Sequence, residues 1–578
     1  MSLPINFQPF AQPQPLPPAP VLFALPCGSS LGGVPQWTLA ATRVLLSLGH
    51  SVGVILHAPR RNDTPDTLAW PKAVRVFDLT HEPPLEGTHR DTGATLDDAG
   101  WNRLARAYAA AIDSMHAAQD SDQAIFDPRP VVCIPSLLGD CYGLFARVSE
   151  THAPRMRVAA LVHSPVIYDR AIASHYAPLC AAFAAVSPAT AFQLRDRLAI
   201  NEGLVTDPHV IEASAQALGA DPRPVPAREP GAGKRRSLRL AYVGRLDARV
   251  KGVMALPHVA HTLASMNVRH RIAIVGDGPD RETLRESLRT LPTRVQMLGT
   301  KHRAQAIQTL RWADAVLLPS RYEGLSLTLL ESLASGCVPI GTVGALGHNS
   351  TALIRDAIEG IVVPEPPTNT PDTDRDRLVG VSMACAIAGA LGRPSPRAPT
   401  HLTTMSRNCV LLAQSRYTTD RFAQALGAFI DAAAAAPALA WPAERPWRFA
   451  HFDPTWGSGS TPAAAPNRMD ALLRRLAHTR IAILGTGQHT LDLLPTITQH
   501  ACVSAFIDED TSRTNITLAD RPVLSPQQAA AQGITDVVIS SWLYHAPILA
   551  RADSFAAMGL RLHALYDHNL APAGSSAA

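Results

Sequence analysis

The segment Ala315–Gly336 constrains the fold of this chain more than any other part of the sequence. Its first residues, Ala315–Ser320, form an apolar run with the length of a buried strand. Leu327–Ser335 then has helical spacing, with Ser326 placed to cap the start and Gly336 placed to end the helix in a left-handed conformation. The pattern therefore predicts a strand, a tight loop and a helix in succession.

The start of this predicted helix suits a diphosphate. Free N–H groups and a partial positive charge at Leu327 and Thr328 point beyond the end of the strand. Glu323 in the loop and Glu331 in the helix flank that start. Because carboxylates repel phosphate, hydroxyl groups are their natural partners. A nucleotide-sugar carries hydroxyl groups on both sides of its diphosphate, so the segment predicts a nucleotide-sugar site.

The beginning of the chain predicts a doubly wound sheet. Val21–Leu25 is a strand pattern, a glycine-rich loop with Gly32 and Gly33 follows, and a helical pattern leads to a second strand at Val52–Leu56. The glycine pair would let the backbone approach a ligand closely. Taken alone this is a weak signal, since many such loops are only tight turns.

A similar unit begins at Leu238–Val243 and is followed by Arg245 and Lys251. The two cations can converge on a pyrophosphate, the arginine through its planar fork and the lysine as a point charge. Lysine is rare in this chain, occurring only at positions 72, 234, 251 and 301, which gives a lysine inside a motif more weight.

The Glu323-x7-Glu331 segment, followed by Ser335-Gly-Cys-Val-Pro-Ile340, resembles the donor-binding signature of the family-4-type retaining glycosyltransferases of the GT-B fold. The resemblance extends over roughly residues 20–435. It implies an α/β protein with two Rossmann-like domains facing a cleft. Within this family, the first glutamate contacts the transferred sugar and the second the ribose.

The resemblance also implies roles for other positions. Arg245 and Lys251 would hold the pyrophosphate, and His163, at the end of an apolar strand, would lie against the donor sugar; without the resemblance, a satisfied loop histidine would be the simpler interpretation. Lys301 would lie near the base. The remaining expected donor contacts are Gly32, Gly33, Gly324, Leu325, Ser326, Leu327, Thr328 and Glu331.

The function implied is metal-independent, retaining transfer of a hexosyl group from a nucleotide-diphosphate-sugar to an acceptor hydroxyl, with no cofactor. The expected setting is bacterial glycan or polysaccharide synthesis, with a glycan or lipid-linked acceptor. Two alternatives stay open: a nucleotide-sugar-binding scaffold, and an epimerase-like enzyme or phosphorylase of the same fold. Donor turnover distinguishes the scaffold from the enzymes.

Beyond that resemblance, the chain predicts a third, small Rossmann-like unit. A strand pattern at Arg480–Leu484 leads into Gly485-Thr-Gly, and Val503–Asp508 is the next strand. Asp508 falls near the distance, about 20 residues on, at which an acid binds ribose. The third glycine of the fingerprint is missing, so a docking module without a ligand explains the pattern equally well.

The domain organisation follows from these patterns, since 578 residues exceed what one core holds. The predicted parts are a disordered start at 1–20, an N-terminal acceptor domain at 21–222, a donor-binding domain at 236–418, a helix crossing back at 419–436, a linker at 437–469 and an accessory domain at 470–578. The Pro- and Asp-rich stretch Pro364–Asp376 predicts an insertion loop, in which Asp372-Thr-Asp374 is interpreted as a solvated turn rather than a metal site.

Composition limits the partners and the location. A net charge of +4 on 578 residues gives no case for nucleic acid. The eight cysteines never form Cys-x-x-Cys, and Met1–Pro20 lacks the basic start and apolar core of a signal peptide. We therefore expect a cytoplasmic protein, with contact at the inner face of the membrane left open.

Overall fold

The part of the chain that the computed structural model describes forms three β-sheets, each flanked by helices. It describes residues 17–26, 32–58, 68–83, 85, 97–117, 129–136, 139–202, 204–222, 237–289, 291, 294–347, 352–366, 370–391, 401–443, 445, 447, 465–486, 488–508, 514, 516–540, 548–549 and 551–565. The strands predicted from the sequence are present, with ends that coincide with the prediction or differ by one or two residues.

The first sheet has seven strands in the order β3-β2-β1-β4-β5-β6-β7, and every pairing is parallel. Its central strands are apolar and buried, because helices cover both faces. With its helices it forms the first lobe. The bounds are β1 Val21–Leu25, α1 Gly33–Ser47, β2 Val52–His57, β3 Arg75–Leu79, α2 Asp98–Ala117, β4 Val131–Pro135, α3 Gly139–His152, β5 Met156–Val162, α4 Ile167–His175, β6 Cys180–Ala185, α5 Pro188–Glu202 and β7 His209–Val210.

The second sheet has six strands in the order β10-β9-β8-β11-β12-β13, again all parallel. With the helices up to α13 it forms the second lobe. The bounds are β8 Leu238–Val243, α6 Ala248–Lys251, α7 Ala255–Ser265, β9 His270–Val275, α8 Arg281–Arg289, β10 Arg294–Gly299, α9 Arg303–Trp312, β11 Ala315–Leu318, α10 Leu327–Ser335, β12 Val338–Thr342, α11 Val343–Leu346, β13 Ile361–Val363, α12 Asp372–Leu391 and α13 His401–Ser415.

Helix α14, Thr419–Ala435, packs against the first lobe. Its buried Phe422 meets Trp37 of α1 with ring centroids 5.6 Å apart, and Phe429 meets His209 at 5.7 Å. Just before the helix, Arg416 donates to Glu212 at 2.6 and 3.0 Å. The chain is therefore anchored to the first lobe on both sides of the crossing.

The third sheet has six strands in the order β16-β17-β15-β14-β18-β19, parallel except for the β16–β17 pair. Among the described residues, its two core clusters draw only on those between Met469 and Leu565. It thus has a hydrophobic core of its own. The bounds are α15 Ala465–Arg475, β14 Ile481–Leu484, α16 Gln488–Ile497, β15 Val503–Ile507, β16 Thr517–Leu518, β17 Arg521–Leu524, α17 Pro526–Ala531, β18 Asp536–Ile539, α18 Ala552–Ala556 and β19 Arg561–His563.

The segment predicted as a linker carries structure at both ends. Trp441 is buried on the first lobe, where its backbone N–H donates to the Ser149 hydroxyl at 2.9 Å. The carbonyl of Trp447 accepts from Tyr176 at 2.8 Å, and Arg147 lies 5.2 Å from the centre of its ring. The large apolar area of two indoles explains this docking.

The sequence expectation for Asp372-Thr-Asp374 differs from the structure. These residues form the first turn of α12 instead of a turn within an insertion loop. Acidic side chains are favoured there because they face the positive end of the helix dipole.

None of the helices within the described ranges has the length and apolar character needed to cross a membrane.

Candidate functional site

The site begins where β8 and β11 end. These strands are neighbours, with Ala315 opposite Leu240 and Val316 opposite Ala241. The chain leaves β8 towards β9 on one side and leaves β11 towards β12 on the other, so the gap between their carboxyl ends is a topological switch point. Open α/β sheets bind ligands at such a crevice.

Lys251 and Glu323 reach this crevice from opposite sides. Lys251 follows β8 and Glu323 follows β11, and Nζ of the lysine lies 2.6 Å from Oε1 of the glutamate. The Ser320 hydroxyl donates to the same oxygen at 2.7 Å. The lysine side chain is 28% exposed and the glutamate side chain 12%. A charged pair that stays in partial contact with solvent is accessible to a ligand.

The geometry around Lys251 is set by its neighbours. Asp247 caps the short helix α6 by accepting from the Val250 N–H at 2.9 Å. Gly252 ends the helix with a φ of 61°, a conformation that favours glycine. A Cβ atom at Gly252 would lie 2.3 Å from the Pro319 carbonyl oxygen. The lysine and the loop before Glu323 are therefore packed directly against each other.

The start of α10 has the predicted form. Ser326 is the N-cap and accepts from the Leu329 N–H at 3.3 Å, and Gly336 ends the helix with a φ of 65°. The Thr328 hydroxyl donates to the Val243 carbonyl at 3.1 Å, which ties the helix start to the end of β8. The positive end of the helix dipole thus lies at the crevice.

Glu331 is buried and engaged by an arginine that the sequence analysis did not select. Arg303, the first residue of α9, donates to the Glu331 carboxylate through Nη2 and to Gln36 Oε1 of the first lobe through Nη1 at 2.9 Å. Burial raises the pKa of Glu331, and Arg303 opposes that shift. The second motif glutamate is therefore part of a contact between the lobes.

Arg245 and Lys301 lie farther out than Lys251. The Arg245 side chain is 67% exposed, and its Nε lies 3.6 Å from Asp247. Lys301 is half-buried after β10, which is separated from β8 by β9. Both are at the carboxyl edge of the second sheet. The structure brings Lys251 and Glu323 into contact, whereas Arg245 would have to turn towards a ligand.

The first lobe approaches the Glu323 loop through His163. A Cβ atom at Gly324 would lie 1.9 Å from the His163 carbonyl oxygen, so the backbones of the two lobes meet there. The imidazole packs edge-on against Trp37 at 5.1 Å. Its enclosed Nε2 has no hydrogen-bond partner among the described residues. Burial lowers the pKa of His163 to about 3, which keeps the ring neutral.

Gly32 and Gly33 lie at the start of α1, where Gly32 is the N-cap. Both are exposed, and a Cβ atom at Gly33 would have no described atom within 4 Å. Packing within the described part of the chain therefore does not explain the glycine at position 33.

A pocket of about 210 Å³ separates α1 from the start of α9. One wall is provided by Gln36, Leu39, Ala40 and Arg43, and the opposite wall includes Arg303. It adjoins the Arg303–Glu331 pair. The cleft thus continues along α1 beyond the switch point.

Two Rossmann-like α/β lobes that face one cleft define the GT-B glycosyltransferase architecture. The structure overlays on that of the pneumococcal O-GlcNAc transferase in complex with UDP and GlcNAc with a TM-score of 0.51 at 12% sequence identity, covering 72% of this chain and 99% of that one. A similarity at this level of identity supports the fold and the arrangement of the two lobes.

The sequence of the second lobe gives a more specific similarity than the fold does. Residues 237–372, most of this lobe, match the family described as Glycosyl transferases group 1. The matched range includes every predicted site residue except Gly32, Gly33 and His163.

Curated relatives are similar over part of this chain. The alpha-D-kanosaminyltransferase of Streptomyces kanamyceticus is 31% identical over 179 residues, which is 31% of this chain and 41% of the relative. A Campylobacter jejuni alpha-1,4-N-acetyl-D-galactosaminyltransferase, named for its GalNAc-containing diNAcBac-PP-undecaprenol substrate, is 30% identical over 122 residues, 21% of this chain and 33% of the relative. This chain therefore spans less than half the length of these relatives.

Three residues of the site were missed by the sequence analysis. Ser320 holds Glu323, Arg303 holds Glu331, and Gln36 holds Arg303 from the other lobe. Ser320 stands three positions before Glu323 at the end of a strand, which is a local signal. Arg303 and Gln36 have no local signal, since their contacts are made between elements far apart in sequence.

Proposed function

We propose that the protein is a retaining glycosyltransferase that moves a sugar from a nucleotide-diphosphate-sugar to an acceptor hydroxyl in glycan synthesis. The observation that carries the proposal is the Lys251–Glu323 pair at the switch point, beside the start of α10. A cation, a helix N-terminus and a carboxylate at one crevice match the diphosphate and the hydroxyl groups of such a donor.

The barrier to transfer falls through electrostatic stabilisation of the leaving group. As the glycosidic bond breaks, negative charge grows on the diphosphate, and Lys251 and the N–H groups at the start of α10 stabilise it. Arg245 adds its guanidinium once it turns inwards. Glu323 binds hydroxyls of the transferred sugar and thereby orients the reacting carbon. The acceptor attacks from the face that the diphosphate leaves, and the leaving phosphate oxygen takes the proton of the acceptor.

We propose that this charge stabilisation needs no divalent metal. Lys251, Arg245 and the α10 dipole supply positive charge at the diphosphate, where a metal ion would otherwise act. Transfer measured in excess EDTA is therefore expected to keep the rate measured without chelator. A rate that falls with chelation and returns with Mg²⁺ or Mn²⁺ would contradict metal independence.

Substitutions of the central pair test the function itself. We expect Glu323→Ala to lower the transfer rate by about 10³-fold, since it removes a contact to the transferred sugar. Its affinity for the nucleoside diphosphate should change little. Lys251→Ala should lower the rate and also weaken nucleoside diphosphate binding by about 10- to 100-fold, the range for a hydrogen bond to a charged group. Nucleotide-sugar turnover by mass spectrometry and calorimetric binding are the measurements.

The matched control is Lys72→Ala, which removes an exposed lysine from the first lobe. This variant should leave the transfer rate and the affinity for the nucleoside diphosphate unchanged. Unchanged turnover in Glu323→Ala would reject the role of Glu323. Tight nucleotide-sugar binding by the wild type, with neither transfer nor slow hydrolysis, would support the scaffold interpretation instead.

A further inference from the structure

The first turn of α12 contacts the loop that leads to Glu323. Asp372 lies 2.6 Å from Nη1 of Arg321, and Asp376 lies 3.9 Å from Nη2 of the same arginine. Arg375 pairs with Asp376 at 3.2 Å and with Glu365 at 3.0 Å. We call these five charged residues the α12 cluster.

The α12 cluster also holds the loop backbone. Nη2 of Arg375 donates a long hydrogen bond of 3.5 Å to the Pro319 carbonyl oxygen. The Arg321 N–H donates to the Val250 carbonyl at 2.9 Å, next to Lys251. On the opposite side, a Cβ atom at Gly344 would lie 1.9 Å from the Arg321 carbonyl oxygen. The loop is thus enclosed by α6, α11 and α12.

The centre of the α12 cluster is rigid because its charges are buried. Arg375 and Asp376 are each 6% exposed. Burial raises the pKa of Asp376, while Arg321 and Arg375 oppose the shift. Removing one member would leave an unpaired buried charge, which costs far more than a lost surface pair. The loop therefore has few ways to shift while the cluster is intact.

We propose that Asp372, Arg375 and Asp376 are positioning residues, which fix the Pro319–Gly324 loop so that Glu323 meets Lys251 at the crevice. None of the three reaches the Lys251–Glu323 pair in the structure. They act through Pro319 and Arg321, which precede Glu323 by four and two positions. The catalytic consequence rests on the proposed function, whereas the effect on the geometry does not.

Lysine labelling reports on this geometry without relying on activity. The chain has four lysines, so the acylation rate of Lys251 can be followed by mass spectrometry with the exposed Lys72 as internal reference. Contact with Glu323 and partial burial shield the Lys251 amine from the reagent. We expect Asp376→Asn and Arg375→Lys to raise the Lys251/Lys72 rate ratio several-fold.

The same variants are then assayed for transfer. A loop displaced by about 1 Å should lower kcat by 10- to 100-fold. The change in KM should be much smaller. Arg375→Lys keeps the charge without the planar fork. Its kcat should therefore lie between those of the wild type and Asp376→Asn. Asp372→Asn removes a carboxylate that is 73% exposed, so it gives a weaker version of the effect in case the buried variants fail to fold.

The matched control is Asp374→Asn, which removes a carboxylate from the same helix turn. Asp374 pairs with Arg377 at 3.4 Å on the exposed side of α12 and is not among the residues that pair with Arg321 or Pro319 above. A rate ratio equal to that of the wild type in every cluster variant that folds, or a rise of the same size in Asp374→Asn, would overturn the proposal. An altered ratio with no turnover even in the wild type would uphold the positioning and reject the transferase function.

Discussion

The Glu331 carboxylate, which is expected to bind the donor ribose, is already paired with Arg303. The Glu331 carboxylate is already held by Arg303 from α9, and burial raises its pKa. A ribose that binds here must share the carboxylate with the guanidinium. Glu331 therefore has two partners to lose on substitution: one in the protein and one in the ligand.

We predict that Glu331→Gln weakens nucleoside diphosphate binding by about tenfold, the effect of losing a charged hydrogen bond. Inorganic pyrophosphate, which has no ribose, should bind as tightly as to the wild type. Calorimetric titration with both ligands measures the difference. The control is Asp314→Asn, because Asp314 pairs with Arg239 at 2.9 Å on the amino side of β11, away from the crevice. Equal losses for both ligands would contradict a ribose contact.

His57 makes the stability of the first lobe sensitive to pH. The side chain is fully buried, its Nε2 lies 2.8 Å from the Tyr108 hydroxyl, and burial lowers its pKa to about 3. The unfolded chain binds a proton near the ordinary histidine pKa of about 6.5, but the folded chain does not. The stability that His57 contributes is therefore complete above about pH 6.5 and is lost as the pH falls towards about 3.

We predict that His57→Gln makes the free energy of unfolding less dependent on pH in this window. The slope should fall by about 1.4 kcal/mol per pH unit, the value for one proton. Chemical denaturation at a series of pH values, monitored by fluorescence, gives the slope. His261→Gln, at an exposed position on α7, should leave it unchanged. A slope unaffected by the loss of His57 would show that the folded lobe also protonates it.

At the scale of elements, the strand, loop and helix from β11 to α10 could be predicted because the sequence signals for this segment are local. Ser326 and Gly336 cap α10 where the pattern places them. Lys251 and Glu323 were also expected at one site, although only the sheet order shows that β8 and β11 are neighbours.

Contacts between distant elements could not be predicted in this way. Arg303 meets Glu331 because α9 packs beside α10, and no spacing in the chain encodes that packing. Asp372, at the start of α12, pairs with Arg321, which stands 51 positions earlier in the chain. Trp441 occupies a proline-rich stretch that predicts a linker, yet the first lobe offers an apolar surface that buries it. The domain boundaries themselves stay a prediction.

On the scale of the whole molecule, the two lobes meet at the Glu323 loop itself. Gly324 contacts the His163 carbonyl, and Arg303 bridges to Gln36 nearby. Closing the cleft in this way would exclude water, which otherwise hydrolyses a bound donor. Because Gly324 packs directly against the His163 carbonyl of the other lobe, a single methyl group there acts on the closure of the lobes.

We predict that Gly324→Ala holds the lobes apart. Its Cβ atom would lie 1.9 Å from the His163 oxygen, and opening the cleft removes the overlap without disturbing either core. The transfer rate should fall by about 10²-fold or more, since the site is no longer assembled around the donor. The affinity of the second lobe for the nucleoside diphosphate should stay within about threefold. Kinetics, calorimetry and the radius of gyration from X-ray scattering, which should increase, measure these effects.

Gly252→Ala provides the contrast, because its methyl group would overlap within one lobe. The Pro319 oxygen lies 2.3 Å from that position, and the φ of 61° costs a non-glycine residue about 1–2 kcal/mol. Opening the cleft cannot relieve this strain, so Gly252→Ala should lower the melting temperature clearly and Gly324→Ala only slightly. A Gly324→Ala protein that is destabilised as much as Gly252→Ala, with an unchanged radius of gyration, would show that Gly324 serves the fold of its own lobe and not the approach of the two.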